Sequence, residues 1–205
     1  MNKIKALLRL YKEVYNIDGL YLETLQNINV KDSMRKENDK EFLLNILKEK
    51  IKNCKDCPLW ETRTNTVFGE GNINAKLMFI GEGPGYEEDK QARPFVGRAG
   101  ELLTKIINAM NMKREDVYIA NIVKCHPLRV PDPELRNNDR PPNDEEISKC
   151  INYLEKQIEI IMPKIICCLG STAARVLTKN DLPRSELRGK IFDYYKNNKI
   201  KVLPT

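Results

Sequence analysis

The 205-residue sequence has no apolar run approaching the roughly 20 residues that a membrane-spanning helix needs. It has no internal repeat, which sets aside solenoid and array architectures. It has one histidine, His126, and one tryptophan. A glycine-rich run, Gly81-Glu82-Gly83-Pro84-Gly85, lacks the third glycine of the dinucleotide fingerprint, whose place is taken by Tyr86. No lysine–serine pair follows it, so a phosphate-binding Walker loop is not expected either. A secretory leader is not expected either: Arg9, Lys12 and Glu13 interrupt any apolar core near the start of the sequence. Ile4, Leu7, Leu8, Tyr11 and Tyr15 fall instead at amphipathic helix spacing. The expected compartment is the cytoplasm, where thiols stay reduced, so the six cysteines are not read as three disulfides.

What is present is a mildly basic chain, with 35 Lys and Arg against 29 acids, net charge +6 and a pI near 8.9. That balance permits a nucleic-acid partner without requiring one. Residues 1–40 read as a charged helical extension ending in a polar run, and residues 41–205 as one domain. A helix over 41–53 is expected to put Phe42, Ile46, Leu47 and Ile51 on one face. Buried strands are expected at Leu77–Ile80, Val117–Val123, Lys164–Leu169 and Ile200–Leu203, the last closing a hairpin across Asn197-Asn198. Between them, Leu102, Leu103, Ile106, Ile107 and Met110 mark the inner face of one helix. Ile147, Ile151, Leu154, Ile158 and Ile161 mark that of another, capped at Asn143. The alternation gives a three-layer α/β/α domain around a four-stranded, mainly parallel sheet. Leu128 to Asn143 is too long for a routine connection and reads as a surface loop, mobile or facing a partner.

The chain is organised around residues 76–100, a buried strand breaking into the glycine run. Glycines at the carboxyl end of a parallel strand, with Phe95 close behind, suit a pocket for something flat. The amides at the Gly97–Gly100 helix start could hold an anion or a carbonyl oxygen, or simply begin a packed helix. Asn121, polar within a buried strand, needs partners and is read as pointing into that pocket. Glu87, Glu88 and Asp89 read as structural or solvated acids. Cys54-Lys-Asp-Cys57 is a moderate signal for metal, redox or cluster chemistry. Cys125 follows a strand, Cys150 lies beside a helix stripe, and Cys167-Cys168 are small core residues. With two distant partners, the C-x-x-C pair can close a four-thiolate site for zinc or for an iron–sulfur cluster, and spacing leaves the two open. His126 could stand in as a ligand but is read as a solvent-facing residue beyond its strand.

The combination resembles the signature of the family 4 uracil-DNA glycosylases. It is carried by Gly81-Glu82-Gly83-Pro84-Gly85, Glu88-Asp89, Pro94-Phe95-Val96-Gly97-Arg98-Ala99-Gly100, Asn121-Ile122-Val123-Lys124-Cys125 and the cysteines at 54, 57, 125 and 150. The match covers about residues 41–205. The resemblance implies a monomeric base-excision repair enzyme that hydrolyses the N-glycosidic bond of deoxyuridine in uracil-containing DNA. It implies a [4Fe-4S] cluster on Cys54, Cys57, Cys125 and Cys150. Phe95 would stack on the base and Asn121 would read its edge. Glu82 and Gly83 would lie at the sugar, with Glu82 and Asn121 as the catalytic pair, and Arg98 would hold DNA phosphate.

Two positions depart from the family pattern. Ala92 stands where the family has glycine. A strand like Lys201–Thr205 is expected to lead into a His-Pro motif whose histidine holds the uracil oxygen that gains charge, and the sequence stops at Thr205. The expectation is a fragment ending before that motif. The alternative is a non-catalytic uracil- or DNA-binding module on the same fold.

Overall fold

The computed structural model describes residues 33–205, so the amphipathic helix expected near Ile4–Tyr15 lies outside the described residues. The chain divides into two compact units, Met1–Phe42 and Leu43–Thr205. Helix α1 (Ser33–Lys52) begins in the first and continues into the second. It starts earlier than the sequence reading had it, because the charged run before residue 41 contains no glycine or proline to stop a helix. Its buried stripe is Leu43, Leu44, Leu47 and Ile51, at helical spacing, and Phe42 falls off that stripe and is exposed. The Asn53 side-chain amide donates to the Glu49 carbonyl and closes the helix. A single 3-10 turn, Pro58–Trp60, redirects the chain.

The second unit is built on one six-stranded sheet in the order β1-β3-β2-β4-β6-β5. Its strands are β1 (Glu70–Gly71), β2 (Leu77–Gly81), β3 (Tyr118–Asn121), β4 (Ile165–Cys168), β5 (Phe192–Tyr194) and β6 (Asn197–Pro204). The four inner strands run parallel, as expected, and β1 and β5 add antiparallel edges. Both additions are too short to show a periodicity, and short edge strands limit edge-to-edge pairing. The last hairpin turns at Tyr195-Lys196 rather than Asn197-Asn198, since Asn197 already pairs with Tyr194. Tyr195 and Lys196 both bind the Glu155 carboxylate, which pins the turn at that position.

Helices α2 (Tyr86–Gln91) and α3 (Arg98–Ala109) follow β2. Helix α4 (Asp144–Ile161) follows β3, and α5 (Ser171–Thr178) and α6 (Arg184–Leu187) follow β4. Phe79, Ile119 and Cys167 face α3 through Leu103 and Ile107. Tyr118, one residue from Ile119, takes a hydrogen bond from Gln157 of α4, so α4 covers the opposite face. Each such aliphatic side chain, fully buried, contributes about 1.5–3 kcal/mol. The contact stripe of α3 is narrower than its sequence suggests. Leu102, Ile106 and Met110 are exposed, because they form the row beside Gly100, Leu103 and Ile107, which alone face the sheet. Cys167 and Cys168 are buried strand residues, as expected, and burial pushes the Cys167 thiol up to about 11.

The long connection 128–143 is folded on itself. Leu128 and Asp139 form an antiparallel bridge, and the buried Asn138 amide donates to Val130 and Asp132 while accepting from Val130. Arg140 donates to Leu128 and forms a bidentate pair with Glu146. Asn143 caps α4 by accepting from the Glu146 N–H, and Glu146 accepts in return from the Asn143 N–H. Burial raises the Glu146 pKa, but the Arg140 guanidinium and the cap outweigh it and hold the carboxyl below its usual range. A lowered folded value means the stabilisation is fully present above the ordinary glutamate pKa, about 4.3, and is lost as pH falls through the folded value. Glu146→Gln is therefore expected to destabilise at pH 7 by about 1.5–3 kcal/mol. The gap to the native protein should narrow progressively below about pH 4, as read from urea denaturation at a series of pH values.

Candidate active site

β2 has β3 on one side and β4 on the other, so the loops leaving β2 and β3 part at the carboxyl edge of the sheet. A crevice opens at such a switch point. Here it is an open cleft of about 560 Å³ whose lining includes Gly83, Gly85, Glu88, Phe95, Arg98 and Asn121. Gly81 and Asn121 are register partners at the ends of β2 and β3. A Cβ on Gly81 would stand 2.5 Å from Cζ of Phe95 and 2.6 Å from Oδ1 of Asn121. The missing side chain is the space into which the ring and the carboxamide converge. Asn121 is 1% exposed, and its Oδ1 has no hydrogen-bond partner among the described residues.

Phe95 holds a left-handed backbone, φ +53°, which costs a non-glycine residue about 1–3 kcal/mol and needs surrounding support. Three groups supply it. One Glu88 carboxylate oxygen accepts from the Val96 and Gly97 N–H groups at 2.8 Å each, and the other accepts from Gly85 at 3.2 Å. Arg114 donates to the Pro94 and Phe95 carbonyls and pairs with Glu70. Gly100 lets the chain close, since a Cβ there would sit 1.9 Å from the Phe95 carbonyl oxygen. The Val96 and Gly97 amides are thus taken up internally by Glu88. Asp89 is buried and accepts from the Thr64 and Asn65 amides, fixing α2 to the preceding segment.

Of the residues proposed from sequence, Gly83, Phe95, Arg98 and Asn121 line one cleft. Glu82 is not in that lining. Its carboxylate takes the hydroxyl of Thr172, in the first turn of α5, and its carbonyl accepts from the Val123 N–H. On the rim, Arg136 from the folded 128–143 segment lies 4.6 Å from the Tyr86 ring centroid and pairs with Glu87. His126 corrects the sequence reading: it is 1% exposed rather than solvent-facing. The bridge between Leu128 and Asp139 folds Asp139 back over it, and the imidazole Nε2 meets the Asp139 carboxylate at 2.5 Å.

The four cysteines gather at a second place. Cys54, Cys57, Cys125 and Cys150 line one hollow together with Arg63, Lys124 and Tyr153. They arrive from the end of α1, the following turn, the bend four residues beyond the end of β3 and the middle of α4. Burial pushes the Cys125 thiol up to about 11 and the Cys150 thiol up to about 12, and raises Cys57 as well. Arg63 donates to the Cys125 sulfur at 3.2 Å and the Lys124 N–H to the Cys150 sulfur at 3.3 Å. Two buried and two half-buried thiols, with N–H donors aimed at the buried pair, suit a cationic centre that takes sulfur as thiolate. Among the described residues no three His, Cys, Asp or Glu side chains are spaced to close on a single metal ion.

Comparison with known proteins matches the sequence to a family. The model of the uracil DNA glycosylase superfamily matches residues 68–205. The type-4 uracil-DNA glycosylase of Thermotoga maritima is 44% identical over 167 residues, covering 81% of this chain and 81% of that protein. That of Sulfurisphaera tokodaii is 44% identical over 168 residues, covering 79% and 72%. The chain belongs to the type-4 uracil-DNA glycosylases. A third such relative, from Archaeoglobus fulgidus, is 41% identical over 168 residues, covering 80% of this chain and 79% of its own. Among the described residues of this type-4 chain, no helix is long and apolar enough to cross a membrane.

Sequence reasoning missed Arg114, Thr172 and Arg136, and counted Glu88 in the family motif while reading its carboxylate as structural or solvated. None of these carries a local signal, since each acts across a distance set by the fold. The convergence at Gly81 is testable. Gly81→Ala is expected to keep the far-UV spectrum while displacing both Phe95 and Asn121. Titration with free uracil followed by NMR should then lose saturable binding. Unchanged binding would mean the two side chains do not meet where Gly81 leaves room.

Proposed function

We propose that this chain hydrolyses the N-glycosidic bond of deoxyuridine in DNA, releasing uracil and leaving an abasic site. The observation that carries this is the unpartnered Oδ1 of buried Asn121 at the wall of the cleft. A buried acceptor without a donor is costly, and the N3–H of uracil is a donor that fits it. The Asn121 amide can donate in turn to O4. The Phe95 ring, brought alongside across Gly81, supplies a stacking face. The base must leave the stack to arrive there, at a few kcal/mol that mispaired or single-stranded uracil reduces.

Bond cleavage separates a cationic sugar from an anionic base, so fixed charge matters more than a nucleophile. Glu82 follows β2 directly, with its carboxylate oriented by Thr172, and is assigned to the sugar side together with Gly83. Arg98 opens α3 at the cleft and Arg136 stands on its rim, where both can hold phosphate. Cys54, Cys57, Cys125 and Cys150 are assigned to a [4Fe-4S] cluster, whose four irons each take one thiolate and so accept sulfurs that border a hollow. Bound there, the cluster supplies a structural cross-link and no step of the hydrolysis. Such a site suits a reducing compartment, in keeping with the cytoplasm.

The test is release of uracil from a labelled oligonucleotide by protein expressed from the whole reading frame, with thymine- and cytosine-containing strands as controls. Phe95→Ala is expected to weaken binding by the 1–3 kcal/mol typical of a base–aromatic stack, roughly 5- to 150-fold. Asn121→Ala should lower uracil release by about 100-fold or more. Arg98→Ala should reduce the salt slope of binding by about one and leave base preference alone. Uracil-specific binding without release of base would instead identify a non-catalytic binding module. A second measurement addresses the cysteines: Cys150→Ser is expected to remove the brown colour and the broad band near 400 nm. A colourless native protein with one zinc per chain would sink the cluster assignment.

A further inference from the structure

Lys124 is the one lysine among the fully buried side chains, at 1% exposure, and among the described residues it has no ion pair. Its Nζ donates to the Asn121 carbonyl at 2.8 Å and to Oε1 of Gln157 at 2.7 Å. Its own N–H donates to the Cys150 sulfur, and its carbonyl accepts from Val67. Gln157 is held in turn, donating to the Phe68 carbonyl and the Tyr118 hydroxyl. The same lysine therefore lines the cysteine hollow at one end and grips the backbone of Asn121 at the other. Lysine is rarely buried without a compensating negative charge. Two neutral oxygens satisfy two of its three donors and none of its charge. The groups that could supply it are the sulfurs of Cys125, the next residue, and Cys150, which takes the Lys124 N–H, once they are ligated as thiolates.

We propose that Lys124 is a positioning residue that couples the four-cysteine site to base recognition. Its ammonium serves as counter-charge to the ligated thiolates and fixes the Asn121 carbonyl, setting the angle at which the Asn121 carboxamide enters the cleft. Loss of the thiolate charge would free the lysine to withdraw, and Asn121 would turn with it. This rests on the readings of the cysteines as cluster ligands and of Asn121 as the group that reads the base.

The experiment compares the holoprotein with its Lys124→Met, Lys124→Arg and Gln157→Leu variants in two measurements. The first is binding, by fluorescence anisotropy, to oligonucleotides carrying either a non-hydrolysable 2′-fluoro-deoxyuridine or an abasic analogue. The second is the rate at which the 400 nm band bleaches under ferricyanide. Lys124→Met is expected to lose about tenfold in affinity for the uracil strand, to keep abasic affinity within twofold, and to bleach at least threefold faster. Lys124→Arg, which keeps the charge and the donors, should recover most of both. Should Lys124→Met fail to fold, Gln157→Leu decides, with about a threefold selective loss on the uracil strand expected. Equal losses on the uracil and abasic strands overturn the proposal, and so does a Lys124→Met variant that behaves as native in either measurement. If the native protein binds uracil no better than thymine, the glycosylase reading is what has failed. Bleaching alone then judges the counter-charge, with native-like rates overturning it.

Discussion

The cleft depends on one carboxylate. Glu88 accepts from the amides of Gly85, Val96 and Gly97, so one side chain ties the loop after β2 to the start of α3. Hydrogen bonds to a charged acceptor are each worth about 1.5–3 kcal/mol, enough together to exceed the strain at Phe95. Arg114 completes the frame by holding the two carbonyls on the other side of the same bend. The aromatic ring is thus placed by backbone interactions rather than by side-chain packing alone. A ring placed in that way keeps its orientation while the space beside it stays empty, which a flat ligand requires and a relaxed core would fill.

The second organising constraint lies on the far side of β3. The four cysteines come from segments remote in sequence, and closing such loops costs entropy that grows only slowly with length. A single inorganic group that joins the end of α1 to β3 and α4 would offset that cost at once. It would also fix the stretch from Asn121 to Cys125, where Ile122 and Val123 keep bonding to the loop after β2 beyond the end of the strand. The proposed reading group, Asn121, and the proposed anchoring group, Cys125, therefore sit four residues apart on one buried stretch. Little of the polar chemistry in between is left to solvent.

How much of this could be read from sequence follows from the range of each interaction. Strands β2, β3, β4 and β6, the Asn143 cap and the stripe of α4 are local or periodic, and they were legible. So was the gathering of Phe95, Asn121, Gly83 and Arg98 around the glycine loop, because residues at the carboxyl ends of parallel strands must share a rim. The two edge strands were too short to carry a period, and the helix start at Ser33 was hidden in a polar run where Met34 alone sets no period. The burial of His126 could not be foreseen, since it depends on Asp139 returning through a loop whose closure rests on the internal hydrogen bonds of Asn138. Nor could the left-handed turn at Phe95, which no residue type announces.

On the proposed reading, the buried Asn121 oxygen would also make the cleft selective. With no donor opposite it, Oδ1 of Asn121 carries a desolvation penalty of about 1–3 kcal/mol that a base N–H returns on binding. Uracil presents a donor at N3. Cytosine presents an acceptor at that position, so both atoms would stay unsatisfied and the penalty would be kept and doubled. Sites built around a buried polar group reject the ligand that cannot pair with it by roughly 10⁴–10⁵, far more than shape alone allows. The discrimination then depends on how firmly the carboxamide is held, because an amide free to rotate could offer its NH₂ to cytosine instead. The pairing of Asn121 with Gly81 and the hold on its carbonyl by Lys124 fix the backbone from which that side chain rises. If Asn121 reads the base as proposed, fidelity in this cleft is a matter of backbone rigidity at the end of β3 as much as of the identity of the side chain.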